Sequence, residues 1–480
     1  MTTMKTRGRR AQGSRTRTIP QLSRADRVAL GKDARAVAAL ESHAEFVPGG
    51  ARDPVGLLLG QASSRVPELV PIRHGRMLVS PFTFYRGAAL PMAADLSGTP
   101  TSGLRVQLCG DAHLSNFGAF ASPERQLVFD VNDFDETLPG PFEWDVKRLA
   151  ASLAVAGRDN GYSTKERRTI VLAAATGYRE SMRTFAGQSL MDVWYAHMDI
   201  EQTIGQFRSQ IKAKRLKAGE EMLAKAHSRD SMQALGKLTT VVDGHRQFVA
   251  DPPMVVPIED IFSDVQSDTL SAQLHHVLTK YGRSLQSDRR HLVGQFDMVR
   301  VARKVVGVGS VGTRAWVVLM EAGDGIEPLF LQAKEAQPSV LAEYCGRSTY
   351  NNEGERVVAG QHLMQAQSDI FLGWTRATGV DGVDRDFYVR QLRDWKFSVP
   401  IEQMLPAGMA IYARLCGWTL ARAHARSGDR VTLAAYLGSS AKFDRAIAEF
   451  AETYADQNER DYAALQTAVK DGKAETTTHI

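Results

Sequence analysis

The spacing of apolar residues changes along the chain and divides it into helical and strand-forming stretches. Ser23 to Ala44 repeats at helical spacing and predicts an amphipathic helix, with Leu30 and Val37 on the apolar face and Arg24, Lys32 and Arg35 in water. Residues 48–100 hold no sustained period, and Pro, Gly and turn residues gather around Arg76–Phe82. Leu104–Leu108 predicts a strand entering a Gly110–Asp111 turn, with Leu127–Val131 as its neighbour. From Trp144 to about Asp230 the period is helical, with Leu149, Leu153 and Ala156 on one face of the first helix. Asp251-Pro252-Pro253 interrupts it, and a further helical run reaches about Leu292. Val301–Ala333, rich in Val and broken by Gly, predicts consecutive strands. A helix over Val357–Asp369, a short strand over Phe387–Leu392 and helices over Met409–Arg426 and Asp444–Val469 complete the pattern. There is no internal repeat.

The densest polar cluster in an apolar setting is Cys109-Gly110-Asp111-Ala112-His113-Leu114-Ser115-Asn116. An acid and an amide five positions apart on a loop leaving a strand can bend around one point. Asp111 can accept a hydroxyl proton while the Asn116 oxygen binds a magnesium ion. A plain turn in which both cap local backbone would use the same residues. The spacing resembles the protein-kinase catalytic loop. It is closer to the His-Gly-Asp-x-His-x-x-Asn variant of aminoglycoside-phosphotransferase-like kinases, with Cys109 in place of the first His and His113 as structural support.

Further blocks extend that resemblance. Val131-Asn132-Asp133-Phe134-Asp135-Glu136 follows a strand and offers Asp133 as a second metal ligand, with Asp135 and Asp130 as alternatives. Trp144-Asp145 opens the next helix; Asp145 either buttresses the Asp111 loop, as the resemblance implies, or serves the helix dipole. Gly307-Val308-Gly309-Ser310-Val311-Gly312 fits G-x-G-x-x-G, and the strand-like Thr313–Leu319 after it argues against a dinucleotide-binding turn, which should open a helix. Strand, glycine turn and strand instead resemble the phosphate-covering loop of kinases, with Gly307, Gly309, Ser310 and Gly312 near phosphate. A plain hairpin with tight turns is the alternative. Leu331-Gln332-Ala333-Lys334 resembles the kinase lysine strand, and Lys334 would hold nucleotide phosphate. Its glutamate partner is Glu355, with Glu343 and Glu353 as alternatives. Gln391 and Leu392 resemble the hinge whose backbone meets adenine, and Leu420–His424 resembles the close of the helix before a catalytic loop. Arg314 departs from the apolar residue usual over the base.

Composition narrows the function classes. The 480 residues are 43% hydrophobic and 24% charged, as in ordinary globular chains. The net charge of +5 resides in the first twenty residues, where six basic residues meet no acid; the remaining 53 basic and 54 acidic residues balance. The body therefore gives no basis for nucleic-acid binding, which is left to weak contact by the basic tail. No apolar run suits a membrane span. Cys109, Cys345 and Cys416, odd in number and far apart, suit reduced thiols and a cytoplasmic location.

Arg76–Gly87, Leu108–Gly118, Asn132–Pro141, Leu331–Ala336 and Leu420–Asp429 together resemble the bacterial domain of unknown function 2252 family, grouped with kinase-like folds. The resemblance implies an α+β, two-lobed kinase-like fold. Because the glycine loop and Lys334 follow Asp111 in the chain, that fold would be circularly permuted. The expected parts are a disordered basic tail (1–20), a helical and mixed extension (21–99) and a C-lobe segment with both catalytic loops and a helical insertion (100–299). An N-lobe-like sheet (300–398), C-lobe helices (399–470) and a polar tail (471–480) follow. The implied activity is phosphotransfer with ATP and Mg2+ to an unidentified small-molecule or protein hydroxyl. A nucleotide-binding pseudokinase scaffold and nucleotidyl (AMP) transfer would use the same residues. A binuclear metallophosphoesterase would need further His ligand motifs, which the sequence lacks.

Overall fold

Five α-helices lie within residues 22–100: α1 (Arg24–Val37), α2 (Pro54–Gly60), α3 (Val70–Met77), α4 (Pro81–Gly87) and α5 (Ala89–Ser97). This computed structural model describes residues 22–202, 221, 224, 227–228, 231–262, 267–323, 327–379, 381–392, 394–395 and 399–477. The expected basic tail over residues 1–20 and part of the helical run before residue 230 lie outside the described residues. α1 begins at a capping box between Ser23 and Asp26. Its packing face differs from expectation. Leu30 and Val37 point to water, whereas Gly31 and Ala34 are buried. A Cβ on Gly31 would fall 2.2 Å from the Thr432 carbonyl, so the helix docks through its smallest side chains.

The helical body is α6 (Phe142–Asp159), α7 (Thr164–Gly187), α8 (Leu190–Tyr195), α15 (Pro406–Ser427), α16 (Arg430–Leu437) and α17 (Lys442–Lys470). α6 is buried on nearly every side, Phe142 through Gly157, and with α7, α15 and α17 it encloses the largest apolar core. Two small antiparallel pairs lie against it. β1 (Arg105–Leu108) pairs with β4 (Leu138–Pro141), and β2 (Phe117–Ala121) pairs with β3 (Leu127–Val131). The expected β1–β3 pairing therefore gives way to β1–β4, because the chain first doubles back through the β2–β3 hairpin.

The remaining part is an antiparallel sheet. It contains β7 (Val255–Pro257), β8 (Phe296–Lys304), β9 (Ala315–Ala322), β10 (Glu327–Ala336), β11 (Gly373–Thr378) and β12 (Asp384–Gln391), in the order β11-β12-β10-β9-β8-β7. β11 is an addition to the strands expected from sequence. One face of the sheet packs under α10 (Ile258–Ile261), α11 (Ser267–Ser284) and α12 (Ser287–Val293) through Tyr281, Leu285, Val318, Leu331 and Val389. The other face packs Val317, Leu319 and Phe330 against Ala234 and Leu238 of α9 (Ser231–Leu238) and Phe248 of the hairpin β5 (Thr239–Val242)–β6 (His245–Phe248). α13 (Ala342–Cys345) and α14 (Glu353–Met364) connect β10 to β11. The polar C-terminus folds back on α3: the Thr477 N–H donates to the Pro71 carbonyl at 3.0 Å, and Ala474 is buried. Among the described residues no helix is long and apolar enough to cross a membrane.

Candidate functional site

Gly110 sets the first loop. It sits at φ +83°, and a Cβ there would fall 2.3 Å from the Glu136 carbonyl oxygen, so the position admits only glycine without rebuilding. Asp145, in the first turn of α6, accepts the N–H groups of Cys109 at 2.8 Å and Gly110 at 3.0 Å. His424 Nε2 lies 3.2 Å from the same carboxylate, and its Nδ1 lies 2.9 Å from the Tyr178 hydroxyl. A buried chain from α7 through α15 thus fixes the loop from behind. Asn116 closes the loop from the front, its amide nitrogen donating to the Asp111 carbonyl at 2.8 Å. With the amide nitrogen so engaged, the side-chain oxygen of Asn116 is its remaining polar atom.

Asp111 faces the cleft but is not alone. Arg148 donates to Asp111 Oδ1 from Nε at 2.9 Å and stands 2.8 Å away through Nη2. Burial pushes the Asp111 carboxyl above its ordinary range, although Arg148 pulls against it. His113 Nε2 is 3.7 Å from Asp111 Oδ2, and burial holds the ring below its usual pKa, so at neutral pH it is uncharged. Arg148 was missed in the sequence. Its signal was the spacing from Asp145, three residues on and hence on the same side of the helix.

The second loop leaves β3 at Val131 and is tied to the first, the Asn132 N–H donating to the Asn116 carbonyl at 2.8 Å. Phe134 is buried in the main core. Around that anchor Asp133 and Asp135 both approach Lys334, whose side chain is 3% exposed. The ammonium lies 2.6 Å from Asp135 Oδ2 and 3.9 Å from Asp133 Oδ2. Tyr388, directly across from Lys334 on β12, donates its hydroxyl to Asp135 Oδ1 at 2.5 Å. Burial works against the Lys334 charge, yet the two carboxylates outweigh it and raise its pKa. Burial likewise opposes ionisation of Asp135, but Lys334 and Tyr388 hold it below the ordinary carboxylate range. Asp133 is raised, by burial and then by the charge of Asp135.

Two expectations change here. Lys334 pairs with aspartates from the β3 loop, and among the described residues none of Glu343, Glu353 and Glu355 forms an ion pair with it. Glu355 sits in the first turn of α14, where its N–H caps onto Asn352 at 3.0 Å, and Glu353 pairs with Arg356. Arg356 turns to the carbonyls of Asp135, Thr137 and Gln337, so α14 grips the loop by its backbone. Asp130, an alternative to Asp133, is buried against Arg422 and belongs to the core.

The glycine loop joins β8 to β9, with Gly307 at φ +70° and Gly312 at φ +91°. Ser310 Oγ lies 3.4 Å from Asp135 Oδ2, so the loop reaches that aspartate. Its carbonyls are held by the N-terminal extension: Arg76 donates to Gly307 at 2.7 Å, Arg65 to Gly309 at 2.9 Å and the Val66 N–H to Gly312 at 2.8 Å. Arg314 pairs with Glu335 at 3.3 Å. The hinge expectation is narrowed. The Gln391 N–H is taken by the Asp369 carboxylate, the Leu392 N–H donates to the Phe330 carbonyl at 2.8 Å, and the Leu392 side chain packs with the α9 patch. Neither amide is available to a base.

A cavity of about 440 Å³ opens between these parts. Asp111, Asp133, Asp135 and Glu136 form one side of it, and Gly309, Ser310 and Thr313 edge it. Arg65, Arg73 and Arg86, from the extension, form another side. Lys334 stands behind the aspartates. Burial pushes Glu136 up to about 7 although its carboxylate accepts the Val340 N–H at 2.7 Å. Among the described residues no three His, Cys, Asp or Glu side chains form a metal-binding cluster. The donors the two loops offer are Asp133, whose Oδ1 accepts the Asp135 N–H at 3.2 Å and whose Oδ2 stands 3.9 Å from Lys334, and the Asn116 side chain. That set fits magnesium, which is ordinarily held by one or two carboxylates with water and substrate phosphate.

Residues 65–468 match the model of a family described as an uncharacterized protein conserved in bacteria (DUF2252). No curated protein matches the chain, and no solved structure does.

Proposed function

The chain belongs to the bacterial DUF2252 family, and for it we propose an ATP- and magnesium-dependent phosphotransferase with a circularly permuted kinase-like fold. The observation that carries the reading is the meeting of Lys334 with Asp133 and Asp135, some two hundred positions earlier in the chain, beside a cavity that also holds Asp111. The sheet supports it: β8 to β12 with α14 between β10 and β11 follow the order expected of an N-lobe over residues 300–398. So does the contact of α15 with β1, where the Gln107 N–H donates to Ser427 Oγ at 3.2 Å. That contact joins the helix that should precede a catalytic loop to the strand that leads into one.

In this reading Lys334 and the glycine loop hold nucleotide phosphate, and Asp133 with Asn116 holds magnesium. Magnesium supplies neutralisation of charge on the phosphates. Asp111 orients the acceptor hydroxyl and takes its proton as the oxygen bonds to the γ-phosphorus and the ADP oxygen leaves. Asp145 keeps Asp111 at the right height by holding the two amides before it. Arg148 favours a second reading, nucleotide binding or nucleotidyl (AMP) transfer without an acceptor base, because it occupies Asp111 Oδ1 from Nε at 2.9 Å and Nη2 at 2.8 Å. Turnover of ATP against pools of hydroxyl metabolites separates the two. Asp111→Asn should leave ATP binding intact and lower turnover by roughly 10²–10⁴-fold; wild-type turnover in that variant would remove Asp111 as the base.

A further inference from the structure

Three carboxylates of the main cavity have a close cation of their own: Asp111 has Arg148, Asp135 has Lys334, and Glu335 has Arg314 at 3.3 Å. The three arginines that line the same cavity have no such partner. Among the described residues Arg65, Arg73 and Arg86 form no ion pair; Arg65 donates only to the carbonyls of Gly309 and Val311, and Arg86 makes no side-chain hydrogen bond. Arg73 is 1% exposed, and its Nε and Nη1 have no partner, while Nη2 donates to the Gln61 amide and the Gly87 carbonyl. The Nε atoms of Arg65 and Arg86 are likewise buried and unpartnered. Burying guanidinium groups without a counter-charge is costly. Desolvation accordingly pushes all three below the usual arginine range, Arg65 to about 10. Carboxylates across the cavity pull back on Arg65 and Arg86, but Arg73 meets only the like charge of Arg65, and none of the three has an ion pair, so this wall can take an anion.

We infer that the Arg65–Arg73–Arg86 wall binds a phosphate or carboxylate group of a small acceptor, and so holds the hydroxyl of that acceptor toward Asp111. The inference rests on the phosphotransferase reading for the acceptor role, but the anion site stands on its own geometry. Its size suits a metabolite, since pockets of a few hundred Å³ enclose small molecules. Its position suits an acceptor, because Asp111 borders the cavity together with Asp133 and the glycine loop, where the acceptor would meet the nucleotide phosphate. The N-terminal extension thereby acquires a function, since α3, α4 and the segment before them supply the specificity of the site.

Thermal unfolding and calorimetry on the full chain, without nucleotide and at fixed ionic strength, test this with inorganic phosphate and acetate as probes. Phosphate, acetate or both should bind and raise the melting temperature. Arg86→Gln should weaken that binding about 10- to 100-fold, the range for losing one charge-assisted hydrogen-bonding partner, and leave Mg·ATP binding unchanged. With no partner to lose, Arg86→Gln should also melt at or above the wild-type temperature when ligand-free, whereas a structural arginine would lower it. Arg65→Gln gives a second reading of the anion affinity. The inference is overturned if neither probe binds wild type, if both variants bind it as wild type does, or if Arg86→Gln removes Mg·ATP binding instead. Should the anion bind and respond to Arg86 while Mg·ATP never binds, the anion site stands and the phosphotransferase reading falls.

Discussion

Replacing Lys334 with Met keeps the length and apolar stem of the side chain and removes only the ammonium. That ammonium lies 2.6 Å from Asp135 and 3.9 Å from Asp133, and the three side chains are 3%, 27% and 30% exposed. Removing one partner of a buried ion pair costs about 3–5 kcal/mol, because the other charge is left uncompensated. Water reaches both aspartates, which places the expectation at the lower end, about 3 kcal/mol. The pH dependence follows from the directions of the shifts. Asp135 is depressed when folded, so its contribution is present above the ordinary carboxylate range and is lost as pH falls through the folded value. In Lys334→Met both acids lose the cation that favours ionisation, so they protonate more readily and the gap from wild type should narrow toward about pH 4. Adding Asp135→Asn to Lys334→Met should recover part of the loss, with a coupling of about 2 kcal/mol. Urea unfolding followed by tryptophan fluorescence at pH 7.5 and 4 measures every corner of the cycle. A loss under about 1 kcal/mol, or the same loss with Asp135 already replaced, would refute the ion pair as the link between the sheet and the β3 loop.

Asp145→Ala should destabilise by about 3 kcal/mol, since two backbone amides lose a charged acceptor; unchanged hydrogen-exchange protection at Cys109 and Gly110 would contradict its supporting role. Glu136 is raised to about 7 when folded, so its proton stabilises the fold at low pH, and stability falls as pH rises from the ordinary glutamate value through 7. Glu136→Gln keeps an acceptor for Val340, removes that fall, and should exceed wild type at pH 8 by at most about 3 kcal/mol. A parallel pH–stability profile in the two proteins would sink that assignment.

Local signals carried the polar turns and the strands well. The cluster from Cys109 to Asn116, the glycine-broken strands and the helix to Arg426 were legible because spacing and turn chemistry are written in neighbouring residues. What depended on tertiary partners was not. The nearest partner of Lys334 was expected on a helix and lies on a loop, since Phe134 anchors that loop and turns both flanking acids to the lysine. Periodicity placed Leu30 and Val37 inward in α1, yet the close approach of α16 admits only Gly31 and Ala34. The β1–β4 pairing was hidden because the partner arrives after an intervening hairpin. Arg65, Arg73 and Arg86 lie in a stretch with no clear period, and nothing local marks three arginines on separate segments as one wall.

Titration of ATP into the full chain by calorimetry, with and without magnesium, tests the central claim most directly. A shared phosphate and metal site predicts saturable binding that strengthens with magnesium and disappears in Asp133→Asn and Lys334→Met. At one hundred times the dissociation constant the ligand should add about 2.7 kcal/mol to stability. Absence of binding at millimolar ATP and magnesium, or binding that neither variant alters, would contradict it.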